Sequence, residues 1–314
     1  MKYLIYWLKS RRSGLKKLPG DTRDFDLGIF GWFEYKRKHE KYEIKTISVK
    51  NQYPINNCVF QATTTQKEND EKVELSARSL TGLAKRAGLI SGNGFSNLRT
   101  GQLMLQKHGI LEQKDLPEGN MDWSVYSRGW VDTEKISIHK TKSFWKVNSK
   151  NEIYKLLDDD RIVTMGMNWY TGFNQSGGFR APWKVNGRVG LYVGGHALAI
   201  KGYDGDYLII QNSYGADWGD GGDFYLHVDY AIGFIKKWGA YTNLDIPKNT
   251  AKFLSKYNNK SVKGNRSNEI YKIKGGKKRK YVNMEAFAKN ADPVSYATVD
   301  QGELDLIPEG LNIK

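Results

Sequence analysis

Residues 194–219 read GGHALAIKGYDGDYLIIQNSYGADWG and contain the pattern of two short strands. Ala197–Tyr203 and Tyr207–Gln211 are both rich in apolar residues, and the glycine and aspartates between them mark a turn. Strands joined in this way lie side by side in a sheet. His196 stands at the start of the first strand, and Asn212 directly follows the second. The sequence therefore predicts that these two side chains are neighbours.

The chain has one cysteine, Cys58, which lies 138 residues before His196. A single cysteine is most often a small buried apolar residue. Pro54 and the two asparagines that precede Cys58 predict, however, that a helix begins there. The partial positive charge of a helix N-terminus favours a thiolate. Gln52, six residues upstream, supplies an amide that can bind an oxyanion together with the backbone N–H of Cys58.

The chain resembles the papain-like cysteine peptidases in the order and spacing of four residues. The oxyanion glutamine, the nucleophilic cysteine, the base and the orienting asparagine of that family correspond to Gln52, Cys58, His196 and Asn212. The resemblance covers about residues 42–245. It implies an α+β, papain-like two-lobed fold, with a helical lobe, an antiparallel β-barrel-like lobe and a cleft between them. The order of the sequence patterns agrees, because helical periodicity precedes residue 160 and strand patterns follow it.

Three further segments resemble motifs of the family: the approach to the cysteine, the second helix and the stretch after the asparagine, at Val49–Gln52, Leu75–Leu80 and 212–226. The chain also departs from the pattern. Asn56 and Asn57 stand where the family usually has glycine and serine, and Tyr214 stands where it has tryptophan. The disulfide cysteines of the family are absent, which favours a reducing compartment or a phage or bacterial member.

The resemblance implies that the chain hydrolyses peptide or isopeptide bonds through a covalent intermediate. Cys58 and His196 would form a thiolate–imidazolium pair, and the side chain of Asn212 would fix the imidazole ring. The side-chain amide of Gln52 would hold the developing oxyanion. The implied substrate-binding residues are Gly195, Tyr214 and Trp218.

The pattern of apolar residues predicts most of the regular elements. Helices are expected from near Cys58 with Asn56 or Asn57 as cap, over 76–87, over 97–108, and from Ser149, where Ser-Lys-Asn-Glu is a capping box. Besides the two strands above, strands are expected at Val163–Met167 and Phe224–Val228, with an extended stretch at Tyr42–Val49. Residues 172–195 contain seven glycines and predict a surface loop or hairpin.

The net charge of +15 is concentrated at the two ends of the chain. Residues 1–20 carry six lysines and arginines without an acidic residue, and residues 246–314 carry fourteen against seven acidic residues. Basic ends are typical of solvated tails that aid solubility, and also of segments that bind an anionic surface or an assembly partner. The predicted organisation is a basic N-terminal arm, a peptidase domain, a linker and a small C-terminal β-hairpin/helix module, over 1–41, 42–245, 246–262 and 263–314. The arm is expected to dock on an acidic partner or to lie across the cleft and block it.

Residues 263–310 resemble a small repeat-type module that is appended to bacterial surface and cell-wall-associated proteins. The pattern predicts a hairpin that joins 270–273 to 280–282 through Gly275-Gly276, then a short helix over 284–289 and a strand over 296–299. Two interpretations stay open. The module is either a targeting unit, with the cations at positions 277–280 as its anionic contact, or an extension that stabilises the main domain.

No metal or cofactor is expected, because one cysteine excludes a Cys-rich zinc site and the histidines outside residues 194–219 lack metal-ligand spacing. No nucleic-acid motif accompanies the basic charge, and no apolar run approaches the ~18 residues of a membrane span. Tyr3–Leu8 is too short for the apolar part of a signal peptide. We therefore expect a cytoplasmic or virion-associated protein rather than a classically secreted one, with a peptide or protein substrate, cell-wall peptide among the candidates. The alternative is a papain-like fold used as a structural or binding component of a phage virion or other assembly.

Overall fold

Three helices lie close together in the first half of the main domain. They are α1 (Cys58–Glu71), α2 (Ala77–Arg86) and α3 (Leu98–Lys107), each within a residue or so of its predicted bounds. Ser76 and Asn97 cap α2 and α3 by accepting hydrogen bonds from backbone N–H groups in the first turn. The helices share a buried apolar cluster of Phe60, Leu75, Leu80, Ala84, Met104, Leu105 and Ile110. A one-turn helix, α4 (Trp123–Tyr126), follows.

The computed structural model describes residues 14–17, 25–27, 35–119, 122–128, 139–174, 183–243, 253–254, 256–274, 277–291, 293–305, 307 and 309–314. Most of the basic arm, about half of the linker and residues 275–276, where the turn of the hairpin was predicted, lie outside these residues. No helix in the described part of the chain is long and apolar enough to cross a membrane.

Two more helices flank the sheet of the main domain. The first, α5 (Lys150–Leu157), begins at the predicted capping box, in which Ser149 and Glu152 bond each other's backbone N–H groups. The second, α6 (Val228–Trp238), was not predicted from the sequence. Val228, Ala231 and Ile235 recur at helical spacing and are buried. The predicted strand at Phe224–Val228 is therefore one residue out of place, because Val228 is the first residue of α6.

Nine strands among the described residues form the sheet of the main domain. They are β1 (Phe25–Asp26), β2 (Lys41–Glu43), β3 (Phe144–Lys146), β4 (Val163–Tyr170), β5 (Lys184–Val185), β6 (Tyr192–Asp204), β7 (Tyr207–Gln211), β8 (Asp223–His227) and β9 (Ala240–Asn243). Their order is β1-β3-β9-β4-β6-β7-β8-β5, and β2 pairs with β6. The long central pairs β4–β6 and β6–β7 are antiparallel. The expected α+β fold is confirmed.

Strand β6 is longer than the sequence predicted. It begins at Tyr192, so the end of the glycine-rich segment 172–195 is strand rather than loop, and His196 lies inside a strand rather than at its start. Residues 175–182 of that segment lie outside the described residues. Glycine is required here by packing, since a Cβ atom on Gly195 would lie 2.5 Å from the Trp238 ring. The predicted extended stretch at Tyr42–Val49 forms strand only at Lys41–Glu43.

The C-terminal residues form a separate four-stranded sheet of β10 (Ser261–Gly264), β11 (Ile270–Lys274), β12 (Lys277–Lys280) and β13 (Ala297–Val299), in the order β12-β11-β10-β13. Two helices accompany it, α7 (Met284–Asn290) and α8 (Gln301–Asp305). The second hairpin strand begins at Lys277 and not at the predicted Lys280. Buried apolar residues of this unit join the core of the main sheet, among them Val262, Tyr271, Ile273 and Leu304. The predicted domain boundaries stay predictions.

Two of the four cations at positions 277–280 have acidic partners. Lys278 forms an ion pair with Glu309 at 3.2 Å and is buried, and Lys280 forms one with Glu269. The pair with Glu269 connects β12 to the residue before β11, and the pair with Glu309 connects β12 to the end of the chain. A contact between this cluster and an anionic surface would therefore depend mainly on Lys277 and Arg279.

Candidate active site

Cys58 is the first residue of α1 and is completely buried. The Asn57 carbonyl accepts hydrogen bonds from the N–H groups of Phe60 and Gln61, as the residue before a helix does. The Asn57 side chain makes no capping bond. Its Oδ1 accepts a hydrogen bond from the Gln61 Nε2 at 3.4 Å, and its Nδ2 donates to Thr81 at 3.2 Å and to the Tyr126 hydroxyl at 2.9 Å. The sulfur therefore stands at the positive end of a helix whose start is held by buried polar contacts.

The structure brings His196 and Asn212 together across the β6–β7 pair. The His196 Nε2 and the Asn212 Oδ1 lie 2.8 Å apart, and both residues are buried. The Asn212 Oδ1 also accepts a hydrogen bond from the backbone N–H of Ser213. Within the described part of the chain, the His196 Nδ1 has no hydrogen-bond partner. One imidazole nitrogen is therefore fixed and the other is left for a group in the cleft.

Gln52 connects the approach segment of the cysteine to the segment that follows Asn212. Its backbone N–H donates to the Ser213 carbonyl at 2.9 Å, and its Oε1 accepts from the Ser213 hydroxyl at 2.6 Å. Its Nε2 donates to the Ile55 carbonyl at 2.9 Å. An amide nitrogen carries two hydrogens, so one donor of Gln52 is left after this bond. The side chain is thus held in one orientation by contacts with both lobes.

A buried ion pair holds the same approach segment against α1. The Lys50 Nζ and the Glu68 Oε1 lie 2.6 Å apart, and both side chains are almost completely buried. Glu68 also accepts a hydrogen bond from the backbone N–H of Leu75. Burial raises the pKa of the Glu68 carboxyl, and the charge of Lys50 opposes that rise. The pair gives the segment that carries Gln52 a fixed distance from the helix that carries Cys58.

Aromatic rings surround the imidazole of His196. The Tyr214 ring lies 5.2 Å from it between centroids, and the Trp169 ring lies 4.3 Å from it. Trp218 is buried behind them, and its indole N–H donates to the Phe173 carbonyl at 2.9 Å. Tyr214 and Trp218 were predicted from the sequence, whereas Trp169 was not. The signal was the nearly continuous run of buried residues in β4, which contains Trp169 and pairs with the strand that carries His196.

The segment Gly14–Lys17 lies between the two lobes and covers the cysteine. The Leu15 N–H donates to the Gly195 carbonyl at 3.1 Å on the sheet side. On the helical side, Ser96 exchanges backbone hydrogen bonds with Gly14 and Lys16, at 2.9 and 2.6 Å. The Leu15 side chain is buried in one apolar cluster with Cys58, Phe144 and Ala197. Gly195, the implied substrate-binding glycine, therefore binds a backbone that belongs to this same chain.

Burial moves both reactive groups toward their neutral forms in this closed arrangement. It raises the pKa of the Cys58 thiol to about 11, and hydrogen bonds from the backbone of Ala197 and Gly14 oppose the rise. Burial also lowers the pKa of His196 to about 4, against the opposing effect of the bond to Asn212. The predicted thiolate–imidazolium pair is thus disfavoured while residues 14–17 keep water out of the cleft.

The described residues contain no group of three histidine, cysteine or acidic side chains that could hold a metal ion. His139 lies between Glu71 and Glu112 at 3.2 and 3.3 Å, so it connects the last residue of α1 to the segment after α3. Each of the two carboxylates also has a lysine partner. This arrangement is typical of a structural ion-pair network.

The architecture matches that of solved cysteine proteases. Xylellain, a cysteine protease from Xylella fastidiosa, is 18% identical over 74% of this chain and 97% of its own, with a TM-score of 0.59. The chain has the papain-like fold. The ragweed pollen allergen Amb a 11, a cysteine protease in its proform, is 18% identical over 76% of this chain and 77% of its own, with a TM-score of 0.59.

A third papain-like structure, the digestive procathepsin L2 proteinase of the Tenebrio molitor larval midgut, is 16% identical. The similarity covers 76% of this chain and 80% of that one, with a TM-score of 0.57. No family model matches the sequence, and no curated protein matches it either. Similarity at these identities establishes the fold of the chain and not the reaction that it catalyses.

Proposed function

We propose that this chain is a cysteine peptidase that hydrolyses peptide or isopeptide bonds, with Cys58 as its nucleophile. The observation that carries the proposal is the contact of His196 with Asn212 at 2.8 Å. The residue after His196, Ala197, packs with Cys58 in one buried apolar cluster, so this contact lies close to the thiol. The fold alone does not require this contact between buried polar side chains. A base whose ring is held by an amide, next to a thiol at a helix N-terminus, is what thiol-dependent acyl transfer needs.

The steps follow from the atoms present. With the cleft open, the proton of the Cys58 thiol passes to the His196 Nδ1, and the thiolate attacks the substrate carbonyl carbon. The remaining Gln52 Nε2 donor and the Cys58 N–H bind the oxyanion. His196 then gives its proton to the leaving amine, which departs as the C–N bond breaks. Water, deprotonated by His196, hydrolyses the thioester and restores the thiol.

The peptidase is proposed to be latent as long as residues 14–17 occupy the cleft. Their backbone bonds both walls, and Leu15 shares an apolar cluster with the nucleophile. A substrate needs the same space, because the thiolate must come within bonding distance of the carbonyl carbon. Of the two expectations for the N-terminal arm, these contacts support the blocking one. The arm would have to be displaced or cleaved before turnover.

A structural role is the second candidate function, and the closed cleft is the observation that favours it. A papain-like fold that never opens would serve as a component of a virion or other assembly, with the arm as part of its packing. The two candidates differ in the accessibility of the thiol. A peptidase must expose Cys58 at least transiently, whereas a purely structural component need not.

The test uses a thiol-directed peptidyl epoxide and mass spectrometry of the intact chain. A peptidase is expected to gain one inhibitor at Cys58, to cleave members of a fluorogenic peptide library, and to lose both properties in Cys58→Ala. His196→Gln should fold and lose turnover as well. Absence of labelling and of Cys58-dependent cleavage, with the arm both intact and removed, would leave the structural role as the only candidate.

A further inference from the structure

The position of Trp169 in the sheet follows from the register of β4 against β6. Met167 stands opposite His196, and Trp169 stands opposite Gly194. Residues directly opposite in an antiparallel pair, and residues two apart in one strand, point to the same face. Gly194 has no side chain, so the space beside His196 on this face is open to a diagonal neighbour. A tryptophan is long enough to fill it.

The rings of Trp169 and His196 are in direct contact. Their centroids lie 4.3 Å apart with the planes tilted by 48°. Tyr214 adds a second aromatic contact to the imidazole at 5.2 Å, and its ring meets that of Trp169 edge to face at 5.7 Å. The imidazole therefore lies against two aromatic rings that also contact each other.

Trp169 is held more firmly than a surface aromatic residue would be. Its side chain is completely buried, and it stacks on Phe173 with centroids 4.5 Å apart and planes tilted by 22°. Trp218 and Phe224 contact it at 6.1 and 6.4 Å. The carbonyl of Phe173 accepts the indole N–H of Trp218, which ties this cluster together. The indole is thus fixed by its surroundings and can restrict a neighbouring ring.

The hydrogen bond to Asn212 does not by itself fix His196. One bond at Nε2 leaves the imidazole free to tilt about the line that joins Nε2 to Asn212, and such tilting moves Nδ1. Packing on the ring faces removes that freedom. The face of an indole also attracts a cation, so Trp169 favours the charged imidazolium when it forms. Tyr214 is a titratable group in contact with this ring, and Cys58, on helix α1, lies in one buried cluster with Ala197, the residue after His196.

We propose that Trp169 is a positioning residue for His196, holding the imidazole so that Nε2 meets Asn212 while Nδ1 stays directed to the thiol. This inference rests on the proposed function, because the role of Nδ1 comes from it. Trp169 touches no reacting atom and acts through the imidazole alone. None of the motifs that mark the fold in the sequence includes this residue.

The experiment compares Trp169→Leu and Trp169→Phe in the full chain, with Trp183→Leu as matched control. Trp183 belongs to the same aromatic cluster, where it packs edge to face on Trp218 with centroids 4.7 Å apart. Nitrogen-15 spectra of histidine-labelled protein at pH 7.5 report the tautomer of each imidazole without any substrate, and His196→Gln assigns the signal. Wild type is expected to show protonated Nε2 and unprotonated Nδ1.

The Leu variant should give averaged nitrogen shifts for His196, whereas the Phe variant and the Trp183 control should keep the wild-type tautomer. In hydrolysis assays after cleavage of the N-terminal arm, kcat of the Leu variant should fall about tenfold with KM unchanged, and the Phe variant should recover most of the loss. If Trp169→Leu does not fold, the test uses Trp169→Phe. Its kcat is then expected to lie below that of the Trp183→Leu control.

Wild-type spectra and kcat in a folded Trp169→Leu variant would overturn the positioning role. If only Trp169→Phe folds, a kcat equal to that of the Trp183→Leu control would overturn it. A failure of the proposed function looks different. In that case wild type hydrolyses nothing even after cleavage of the arm, while the nitrogen spectra still show whether Trp169 orders the His196 ring.

Discussion

The backbone N–H of Leu15 donates a hydrogen bond of 3.1 Å to the carbonyl of Gly195, the residue directly before His196. This bond joins the N-terminal segment to the strand that carries the candidate base. The Leu15 side chain extends into the space around Gly166, where its Cδ2 atom lies 2.6 Å from the position that a Cβ would take. A side chain of this chain thus fills a pocket that only glycine at position 166 leaves open.

Leu15→Asp is expected to open the cleft. Burial of a leucine side chain stabilises the closed arrangement by about 1.5–3 kcal/mol, and a buried carboxylate adds a further cost. Alkylation of Cys58 by iodoacetamide should therefore accelerate at least about tenfold. Lys17→Asp introduces the same charge at an exposed position of the same segment and serves as control. Equal alkylation rates in both variants would show that residues 14–17 do not protect the thiol.

Acid is expected to weaken the closed arrangement. The pKa of His196 is about 4 when the cleft is closed and near 6.5 when the imidazole is solvated. Between these values the open form binds more protons, so the stability of the closed form falls by about 1.4 kcal/mol per pH unit as pH decreases. Hydrogen exchange at the Leu15 and Lys16 amides, corrected for intrinsic rates, should rise from pH 6.5 toward 4. In His196→Gln this dependence should disappear.

Alkali is expected to act in the same direction through the cysteine. Burial raises the pKa of Cys58 from its ordinary value of 9.0 to about 11, so the closed form holds its proton more tightly than the open form. Its stability is therefore complete below pH 9 and is lost as pH rises toward 11. Exchange of the Leu15 amide should accelerate in this range and stay flat in Cys58→Ala. Identical profiles in both proteins would exclude the thiol as the titrating group.

Gln52→Ala is expected to lower kcat by about 10²–10³, the usual effect of removing one oxyanion donor. Because Gln52 also bonds Ser213 and Ile55, structural loss has to be separated from catalytic loss. Ser213→Ala removes the hydroxyl that holds the Gln52 Oε1 and leaves the Nε2 donors in place. It should cost far less in kcat. A similar loss in both variants would indicate that Gln52 acts by holding the two lobes together.

The buried Lys50–Glu68 pair is expected to be compatible with a stable fold only while both charges are present. Removal of one member leaves a buried charge without a partner, so Lys50→Met should lower the free energy of unfolding by about 3–5 kcal/mol. Lys50→Met combined with Glu68→Gln leaves no buried charge and should recover part of that loss. Urea unfolding of wild type and of the two variants measures the difference. Equal losses in the single and double variants would mean that packing, not charge, dominates.

The local elements were largely predictable because their signals are local. The capping box at Ser149 and the caps at Ser76 and Asn97 lie within one turn of the helices they begin. Strand Tyr207–Gln211 has its predicted bounds because turn residues flank an apolar run. The start of β6 was missed for the opposite reason. Glycines that normally mark a turn are needed in β6 because Trp238 and Leu15 approach its backbone closely.

Residue types and spacing in the sequence alone indicated the α+β class and the two-lobed architecture, and they predicted Gln52, Cys58, His196 and Asn212 as the candidate site. Because strand pairing is regular, a histidine and an asparagine on neighbouring strands were expected to lie near each other. Only the tertiary structure decided that Leu15 covers the thiol and that Trp169 lies against the imidazole. Leu15 lies far from Cys58 in the chain, and Trp169 lies diagonally from His196 in the β4–β6 pair. The two contacts depend on the space that Gly166 and Gly194 leave open. Such space is a property of packed neighbours, which no local pattern of residues encodes.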